Sequence, residues 1–252
     1  MRIGAQLYTV REFTQTQADF AETLKKVADI GYRTVQVSGS GPFDPAWLAA
    51  ELKKNDLICP LTHTAPDRIA SETAAVIEEH KLFDCPIVGI GAAPGIFNYD
   101  SFDYAAFCDR FRPAAESLKA AGMLLAYHNH HFEFYRSDGP NMLERLAADF
   151  AADTLTFVLD TYWIQFAGGD PAAWIRKFAD RAQCVHLKDM AIVGTQQMAV
   201  IGEGNINFDT IFAACEDART QYLLVEQDDC YGENPFDCLR RSYEYLRARG
   251  YE

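Results

Sequence analysis

The sequence predicts a single-domain α/β fold over residues 1–252, a (β/α)8 TIM barrel. Eight short apolar runs alternate with longer stretches of helical spacing from one end of the chain to the other. No Gly/Ser/Pro-rich linker or shift in composition divides the 252 residues. Eight strand and helix units in about 250 residues are typical of this barrel. A doubly wound open sheet, which needs fewer strands, is the alternative.

The predicted strands are the eight apolar runs, and most of them end on polar side chains. In chain order they cover residues 3–8, 34–37, 58–63, 87–91, 124–128, 156–160, 184–188 and 222–227. In a barrel of this kind the chemistry collects at the carboxyl ends of the strands. We therefore expect the polar residues that end these runs to share one site.

The stretches between the strands have helical periodicity and recognisable ends. In residues 19–30, Phe20, Leu24 and Val27 share one face, and Gly31 follows as a stop signal. Capping side chains and an early proline mark other helix starts. Further helices are predicted over residues 102–121, over 172–178 after Asp170-Pro171, and over 211–218 after Asn207 and Asp209.

Composition and charge indicate the kind of partner to expect. Hydrophobic residues make up 49% of the chain and charged residues 23%, as in ordinary folded proteins. With 23 basic and 36 acidic residues the net charge is −13, which is the wrong sign for binding a phosphate backbone. We therefore expect a small-molecule partner and no nucleic acid. The sequence allows a homo-oligomer.

The N-terminus and the cysteines indicate the compartment. Met1 leads directly into residues 3–10 with no basic n-region or cleavage site, and no run of 18 or more apolar residues occurs in the sequence. The seven cysteines are odd in number, scattered and free of C-x-x-C pairs, as expected for free thiols in a reducing cytosol. A cytoplasmic location without membrane contact is predicted.

Three ionisable residues end predicted strands directly after apolar residues: Asp160, His186 and Glu226. Burying them in one barrel mouth is costly unless they are paired or bind a cation. Imidazole and carboxylate donors without thiolate suit Mn²⁺, Mg²⁺, Co²⁺, Fe²⁺ or Zn²⁺. We interpret the three as ligands of one divalent ion, and an ion-pair network is the alternative.

The fifth strand leaves the fourth ligand open. Since side chains alternate along a strand, His128 and His130 both can reach the mouth. Glu133 lies three residues beyond His130. It can curl back as a fourth ligand, bind a substrate hydroxyl or face solvent.

Six segments spread along the chain carry a family signal: residues 6–11 (QLYTVR), 127–134 (YHNHHFEF), 159–163 (LDTYW), 186–190 (HLKDM), 202–204 (GEG) and 225–228 (VEQD). Together they resemble the sugar phosphate isomerase/epimerase family of xylose isomerase-like TIM barrels, which includes inosose dehydratases and ketose 3-epimerases. The Tyr-His-Asn-His signature is similar to that of the inosose dehydratase-like subgroup.

The resemblance implies one divalent ion, commonly manganese, held by residues of strands five to eight. Asp160, His186 and Glu226 match three ligands of that site. Epimerases of the family end strand five in Glu, whereas this chain has His128 at that place. Glu133 is the nearest carboxylate and is assigned as the fourth ligand, with His128 and His130 as alternatives. Gln36 also departs from the Glu of many relatives.

The function expected from this site is isomerisation or epimerisation of a keto-sugar or polyol derivative. A divalent ion that chelates a carbonyl and a neighbouring hydroxyl stabilises the enediolate formed when the α-proton leaves. Glu226 is predicted as base as well as ligand, His128 or His130 as the partner acid, and Lys188 as a cation near the oxyanion. The predicted substrate contacts are Gln6, Tyr8, Arg11, His63 and Glu203.

Three other functions remain as alternatives. The nearest is a lyase or dehydratase acting on a keto-inositol or a 3-keto-glycoside. A phosphodiesterase similar to endonuclease IV is disfavoured by the acidic balance and by the adjacent histidines. A non-catalytic sugar-binding barrel would bind ligand without turnover.

Overall fold

The fold is an eight-stranded barrel, seen in a computed structural model that describes residues 1–98, 102–136 and 139–251. The barrel strands are β1 (Arg2–Gln6), β2 (Thr34–Val37), β3 (Ile58–His63), β4 (Ile87–Ile90), β5 (Leu124–His128), β6 (Leu155–Asp160), β7 (Cys184–Leu187) and β10 (Tyr222–Val225). Within the described ranges these eight parallel strands close in the order β1-β10-β7-β6-β5-β4-β3-β2. The predicted barrel is confirmed, and the open-sheet alternative is wrong.

Helices follow the strands and cover the outside of the barrel. They are α1 (Gln17–Ile30), α2 (Pro45–Lys54), α3 (Pro66–Ser71), α4 (Thr73–Leu82), α5 (Tyr104–Ala120), α6 (Met142–Asp149), α7 (Thr161–Phe166), α8 (Pro171–Lys177), α9 (Phe208–Asp217) and α10 (Pro235–Arg247). The predicted capping residues are confirmed, since Asp170 accepts hydrogen bonds from Ala172 N and Ala173 N, and Asn207 caps α9. The helix α9 begins at Phe208, three residues before its predicted start. Among the described residues, no helix has both the length and the apolar composition needed to cross a membrane.

Alternation along the strands separates two apolar regions. Leu125 and Tyr127 of β5 pack outward in the large core under the helices, whereas Ala126 belongs to a small cluster inside the barrel. That inner cluster consists of Leu61, Ile87, Ala126, Val158, Cys184 and Leu224. Two residues beyond five of its members stand His63, His128, Asp160, His186 and Glu226. The strand period therefore brings these polar side chains into one layer directly above an apolar floor.

One feature of the barrel end was not predicted. β8 (Asp189–Val193) and β9 (Thr195–Ala199) form an antiparallel hairpin between β7 and α9, and this hairpin is not part of the barrel. Gly194 makes the turn with a φ of 74°, a backbone conformation that favours glycine. As a result, the last barrel strand is the tenth strand among the described residues.

Candidate metal centre

Four buried side chains converge at the carboxyl end of the barrel. His128, Asp160, His186 and Glu226 each offer one ligand atom, and these atoms lie within 4.8 Å of one another. They stand at the ends of four adjacent barrel strands, β5, β6, β7 and β10, where Asp160 pairs with His186 and Glu226 directly follows β10. Imidazole and carboxylate donors in this number suit a divalent transition metal. The group could hold a metal ion.

Hydrogen bonds fix the imidazole rings with a lone pair toward the centre of the group. His128 Nδ1 lies 2.9 Å from the carbonyl oxygen of Gly91, and His186 Nε2 lies 2.6 Å from the side-chain oxygen of Gln36. Both partners only accept, so these ring nitrogens carry the proton. His128 Nε2 and His186 Nδ1 are thereby left as acceptors, which is the arrangement of metal-binding histidines.

The two carboxylates are oriented in the same way. Asp160 Oδ1 accepts a hydrogen bond from Trp163 N at the start of α7, at 3.0 Å. Glu226 Oε1 accepts one from Gln6 Nε2 at 2.7 Å, and Gln6 Oε1 in turn accepts from Tyr8 N. Each carboxylate is anchored through one oxygen, so Asp160 Oδ2 and Glu226 Oε2 face the other ligands.

Unsatisfied polar atoms provide a test of whether a cation fits. His186 Nδ1 lies 2.9 Å from Glu226 Oε2, yet among the described residues this nitrogen has no hydrogen bond of acceptable geometry. Leaving such a buried nitrogen unpaired is costly. A divalent ion would engage both His186 Nδ1 and Glu226 Oε2, and the residues present therefore fit a metal.

Lys188 brings a positive charge into the same space. Its Nζ lies 3.1 Å from Asp160 Oδ2, 2.9 Å from Glu226 Oε2 and 2.9 Å from Asp228 Oδ1. Burial lowers the pKa of Lys188, but the nearby carboxylates outweigh it and the net pKa is raised well above the usual value. For Asp160 and Glu226, burial raises the pKa, but the charge of Lys188 outweighs burial. The net pKa of both carboxylates is lowered, which keeps them ionised.

The histidine pKa values are set by burial and by the carboxylates. Burial lowers the pKa of His186, which favours the neutral ring. Burial also lowers the pKa of His128, but Asp160 outweighs it and the net pKa is raised. The pKa of His130 falls to about 3 because of burial and the neighbouring His128. His130 is therefore uncharged at neutral pH.

A cavity of about 410 Å³ opens above the group. Tyr8, His63, His130, Lys188 and Asp228 line it, and Glu226 reaches it from below. His63 Nε2 and His130 Nδ1 are buried and have no hydrogen-bond partner among the described residues. These nitrogens can bind polar groups of a molecule in the cavity.

Most of this chain matches the sequence model of one known protein family. A family model described as a xylose isomerase-like TIM barrel matches residues 24–249. The chain belongs to this family. The family resemblance inferred from the sequence motifs is thus confirmed.

Individual relatives are distant. An inosose dehydratase of Clostridium beijerinckii is 21% identical over 173 residues, which cover 62% of this chain and 57% of that protein. The chain spans about half the length of the curated relatives it matches.

Solved structures match nearly the whole chain. A sugar phosphate isomerase/epimerase from Parabacteroides distasonis has a TM-score of 0.82 at 22% identity, covering 98% of this chain and 93% of that one. A D-psicose 3-epimerase from Clostridium cellulolyticum H10 has a TM-score of 0.76 at 15% identity, covering 98% and 99%. At these identities the likeness is one of fold.

Glu133, the assigned fourth ligand, lies outside the ligand group. Its carboxylate accepts hydrogen bonds from Tyr127 Oη at 2.7 Å and from His130 N at 2.8 Å. The 3-10 turn Phe132–Phe134 folds the carboxylate back onto the end of β5, where it is almost completely buried. His128, one of the alternatives, is the strand-five member of the group.

Glu203 is also separate from the cavity. Among the described residues it pairs with Arg241 on the surface, at 2.9 Å, and it does not line the cavity. The backbone N–H groups of Gly202 and Gly204 donate to the Asp189 carboxylate. The Gly202-Glu203-Gly204 segment is therefore a turn clamped by Asp189.

Gln6 and Arg11 support other residues of the site. Gln6 is fully buried beside Glu226, and Arg11 donates to the carbonyl oxygens of Tyr8 and Asp228 while its guanidinium stacks on the Tyr8 ring. Neither lines the cavity in the described part of the chain. The sequence prediction missed Asp228, which does line it. The signal was available, because Asp228 stands two residues after Glu226 on the same face.

Proposed function

We propose that this chain is a divalent-metal-dependent isomerase or epimerase of a keto-sugar or polyol derivative, working through an enediolate. The observation that carries the proposal is the buried His128, Asp160, His186 and Glu226 group at the floor of a cavity of about 410 Å³. The family membership and the epimerase fold relatives support it. Mixed oxygen and imidazole ligands suit Mn²⁺, Mg²⁺, Co²⁺, Fe²⁺ and Zn²⁺ alike, and the family resemblance favours Mn²⁺ among them.

The chain's own residues account for the proton transfer. Bound in the group, a divalent ion would supply Lewis-acid stabilisation of the enediolate charge. Glu226, whose carboxylate is oriented by the hydrogen bond from Gln6 Nε2, is the base that takes the α-proton. His63 and His130, uncharged and with an unpartnered nitrogen each, bind substrate hydroxyls. Lys188 is the cation next to the developing oxyanion.

The second proton carrier differs from the sequence prediction. His128 belongs to the ligand group, and the low pKa of His130 leaves it without a proton to give as an imidazolium. Asp228 lines the cavity and its carboxyl contacts Lys188 at 2.9 Å. Burial raises the pKa of Asp228 to about 6, and we assign Asp228 as the group that, once it has taken up a proton, returns it to carbon or protonates a leaving oxygen.

A dehydratase or lyase is the second candidate. It is favoured by the end of β5, where His128 stands in place of the epimerase glutamate. The nearby carboxylate of Glu133 already accepts hydrogen bonds from Tyr127 Oη and His130 N. The curated relatives named inosose dehydratases point the same way. With one carboxylate missing from its epimerase position, elimination of a β-hydroxyl or a glycosidic oxygen competes with return of the proton.

Solvent deuterium exchange tests the proposal and separates the two candidates. Protein loaded with Mn²⁺ is incubated in D2O with ketoses, inososes and 3-keto-glucosides, and the products are examined by NMR. Deuterium at a carbon next to the carbonyl, with an epimer or isomer as product, is the expected result. Exchange with loss of water or of an aglycone identifies the lyase. Absence of bound metal and of exchange would overturn both.

A further inference from the structure

Lys188 engages the two carboxylate oxygens that face the histidines of the ligand group. Its Nζ lies 3.1 Å from Asp160 Oδ2 and 2.9 Å from Glu226 Oε2, while Trp163 N and Gln6 Nε2 take the other oxygen of each carboxylate. The lysine is 1% exposed. A tethered monovalent cation thus sits against the same two atoms that a divalent ion would need.

Lys188 also has a carboxylate outside the ligand group. Asp228 Oδ1 lies 2.9 Å from Nζ, and the Asp228 side chain is 24% exposed at the cavity. Asp228 is absent from the group of described residues that could hold a metal. The ammonium can therefore leave Asp160 and Glu226 without losing every partner, which a buried charge requires.

The charges support an exchange of this kind. Asp160, Glu226 and Asp228 bring three negative charges into contact with one lysine, leaving two of them uncompensated. A divalent ion would neutralise these two remaining negative charges, provided that Lys188 stays in the site. Since Lys188 and such an ion repel each other at short range, they cannot share the same two oxygens at little cost.

We propose that Lys188 is an exchangeable counter-ion, which neutralises Asp160 and Glu226 in the ion-free protein and passes to Asp228 when a divalent ion binds. The inference rests on the proposed function, because it concerns the same site. Passing to Asp228 carries the ammonium toward the cavity that receives substrate. Binding of the ion and movement of the Lys188 ammonium toward the substrate cavity then occur together.

The test is a double-mutant cycle on Mn²⁺ affinity, measured by titration calorimetry on EDTA-treated protein. Lys188→Met is expected to tighten Mn²⁺ binding by about tenfold, because the competing cation is gone. Asp228→Asn is expected to weaken binding by about tenfold, because Lys188 loses its second position. In the Lys188→Met background, Asp228→Asn should change the affinity by less than about twofold.

The cycle separates the exchange from simple attraction between charges. If Asp228 acts only as a distant negative charge, Asp228→Asn weakens binding by the same factor in both backgrounds, and the exchange is overturned. Unchanged affinity in Lys188→Met also overturns it. Failure of the unmodified protein to bind Mn²⁺ overturns the proposed function as well, so the two failures are distinguishable.

Two further variants serve as controls for folding and for specificity. Lys188→Met leaves the buried carboxylates of Asp160 and Glu226 without a neutralising lysine and can fail to fold in the absence of the ion. Lys188→Gln removes the charge but keeps hydrogen-bond donors, and it should tighten Mn²⁺ binding in the same direction. Lys119→Met, at an exposed lysine paired with Asp153, is the matched control and should leave the affinity unchanged.

Discussion

The side-chain oxygen of Gln36 accepts a hydrogen bond from His186 Nε2 at 2.6 Å, and both residues are fully buried. This contact holds the ring with Nδ1 toward Glu226. We expect Gln36→Leu to weaken Mn²⁺ binding by about 10- to 100-fold, since the ring loses its fixed tautomer and orientation. Titration calorimetry on EDTA-treated protein measures the change.

The matched control is Gln221→Leu, at an exposed glutamine just before β10 on the opposite end of the barrel. Its Mn²⁺ affinity should equal that of the unmodified protein. Equal affinities for Gln36→Leu and Gln221→Leu would show that Gln36 does not position the ligand.

A second prediction concerns the strand-five ligand. His128→Ala should weaken Mn²⁺ binding by about 100-fold or more, because His128 is part of the ligand group. Glu133→Leu should leave the affinity within about twofold and instead lower the free energy of unfolding by about 1 to 3 kcal/mol, because Tyr127 Oη and His130 N lose their buried acceptor. Calorimetry and urea unfolding on the same preparations read out the two effects. The reverse pattern would restore Glu133 as the ligand.

The strand period explains why most of this site could be predicted. Asp160, His186 and Glu226 end apolar runs whose inward face is set by alternation alone, so their convergence follows from the fold class. The predicted and observed bounds of β2, β3 and β5 agree for the same reason.

The side chains whose direction or partners could not be predicted lie beyond the strands or are long. The direction of Glu133 depends on a 3-10 turn that has no apolar period to reveal it. Gln6 and Lys188 have long side chains whose partners, such as Glu226, belong to distant strands. The β8–β9 hairpin was missed because its second strand is largely polar and exposed.

A third prediction concerns Asp189, which clamps the segment between β9 and α9. Its buried carboxylate accepts hydrogen bonds from Met190 N, Gly202 N, Gly204 N and Ile206 N, at 2.7 to 3.2 Å. A Cβ on Gly204 would lie 2.4 Å from Asp189 Oδ1, so the turn fits closely around the carboxylate. Asp189→Asn turns one acceptor into a donor facing N–H groups, and we expect it to lower the free energy of unfolding by about 2 to 3 kcal/mol.

Urea unfolding of EDTA-treated protein measures this loss. Asp217→Asn is the control, because Asp217 is exposed and pairs with Arg176 at the surface, and it should cost less than about 0.5 kcal/mol. Similar stabilities for Asp189→Asn and Asp217→Asn would contradict the clamp.

The last prediction concerns acid stability and His80 on α4. Its Nδ1 donates to Val76 O at 2.7 Å, so its Nε2 accepts from the Thr62 hydroxyl at 2.8 Å, and the buried ring is neutral. Burial lowers the pKa of His80 from its ordinary value of 6.5. As the pH falls below that value, His80 takes up a proton in the unfolded chain but stays neutral in the folded protein. The free energy of unfolding therefore decreases, by at most about 1.4 kcal/mol per pH unit from this residue, until the folded pKa is reached.

His80→Gln keeps polar contacts at this position without a titrating group. Between pH 7.5 and pH 5.5, urea unfolding of the ion-free protein should show a fall in stability that is smaller in His80→Gln than in the unmodified chain by about 1 kcal/mol. Other buried histidines, among them His63 and His130, contribute equally to both proteins and cancel in the difference. An identical fall in the two proteins would mean that His80 takes up its proton in the folded state as readily as in the unfolded one.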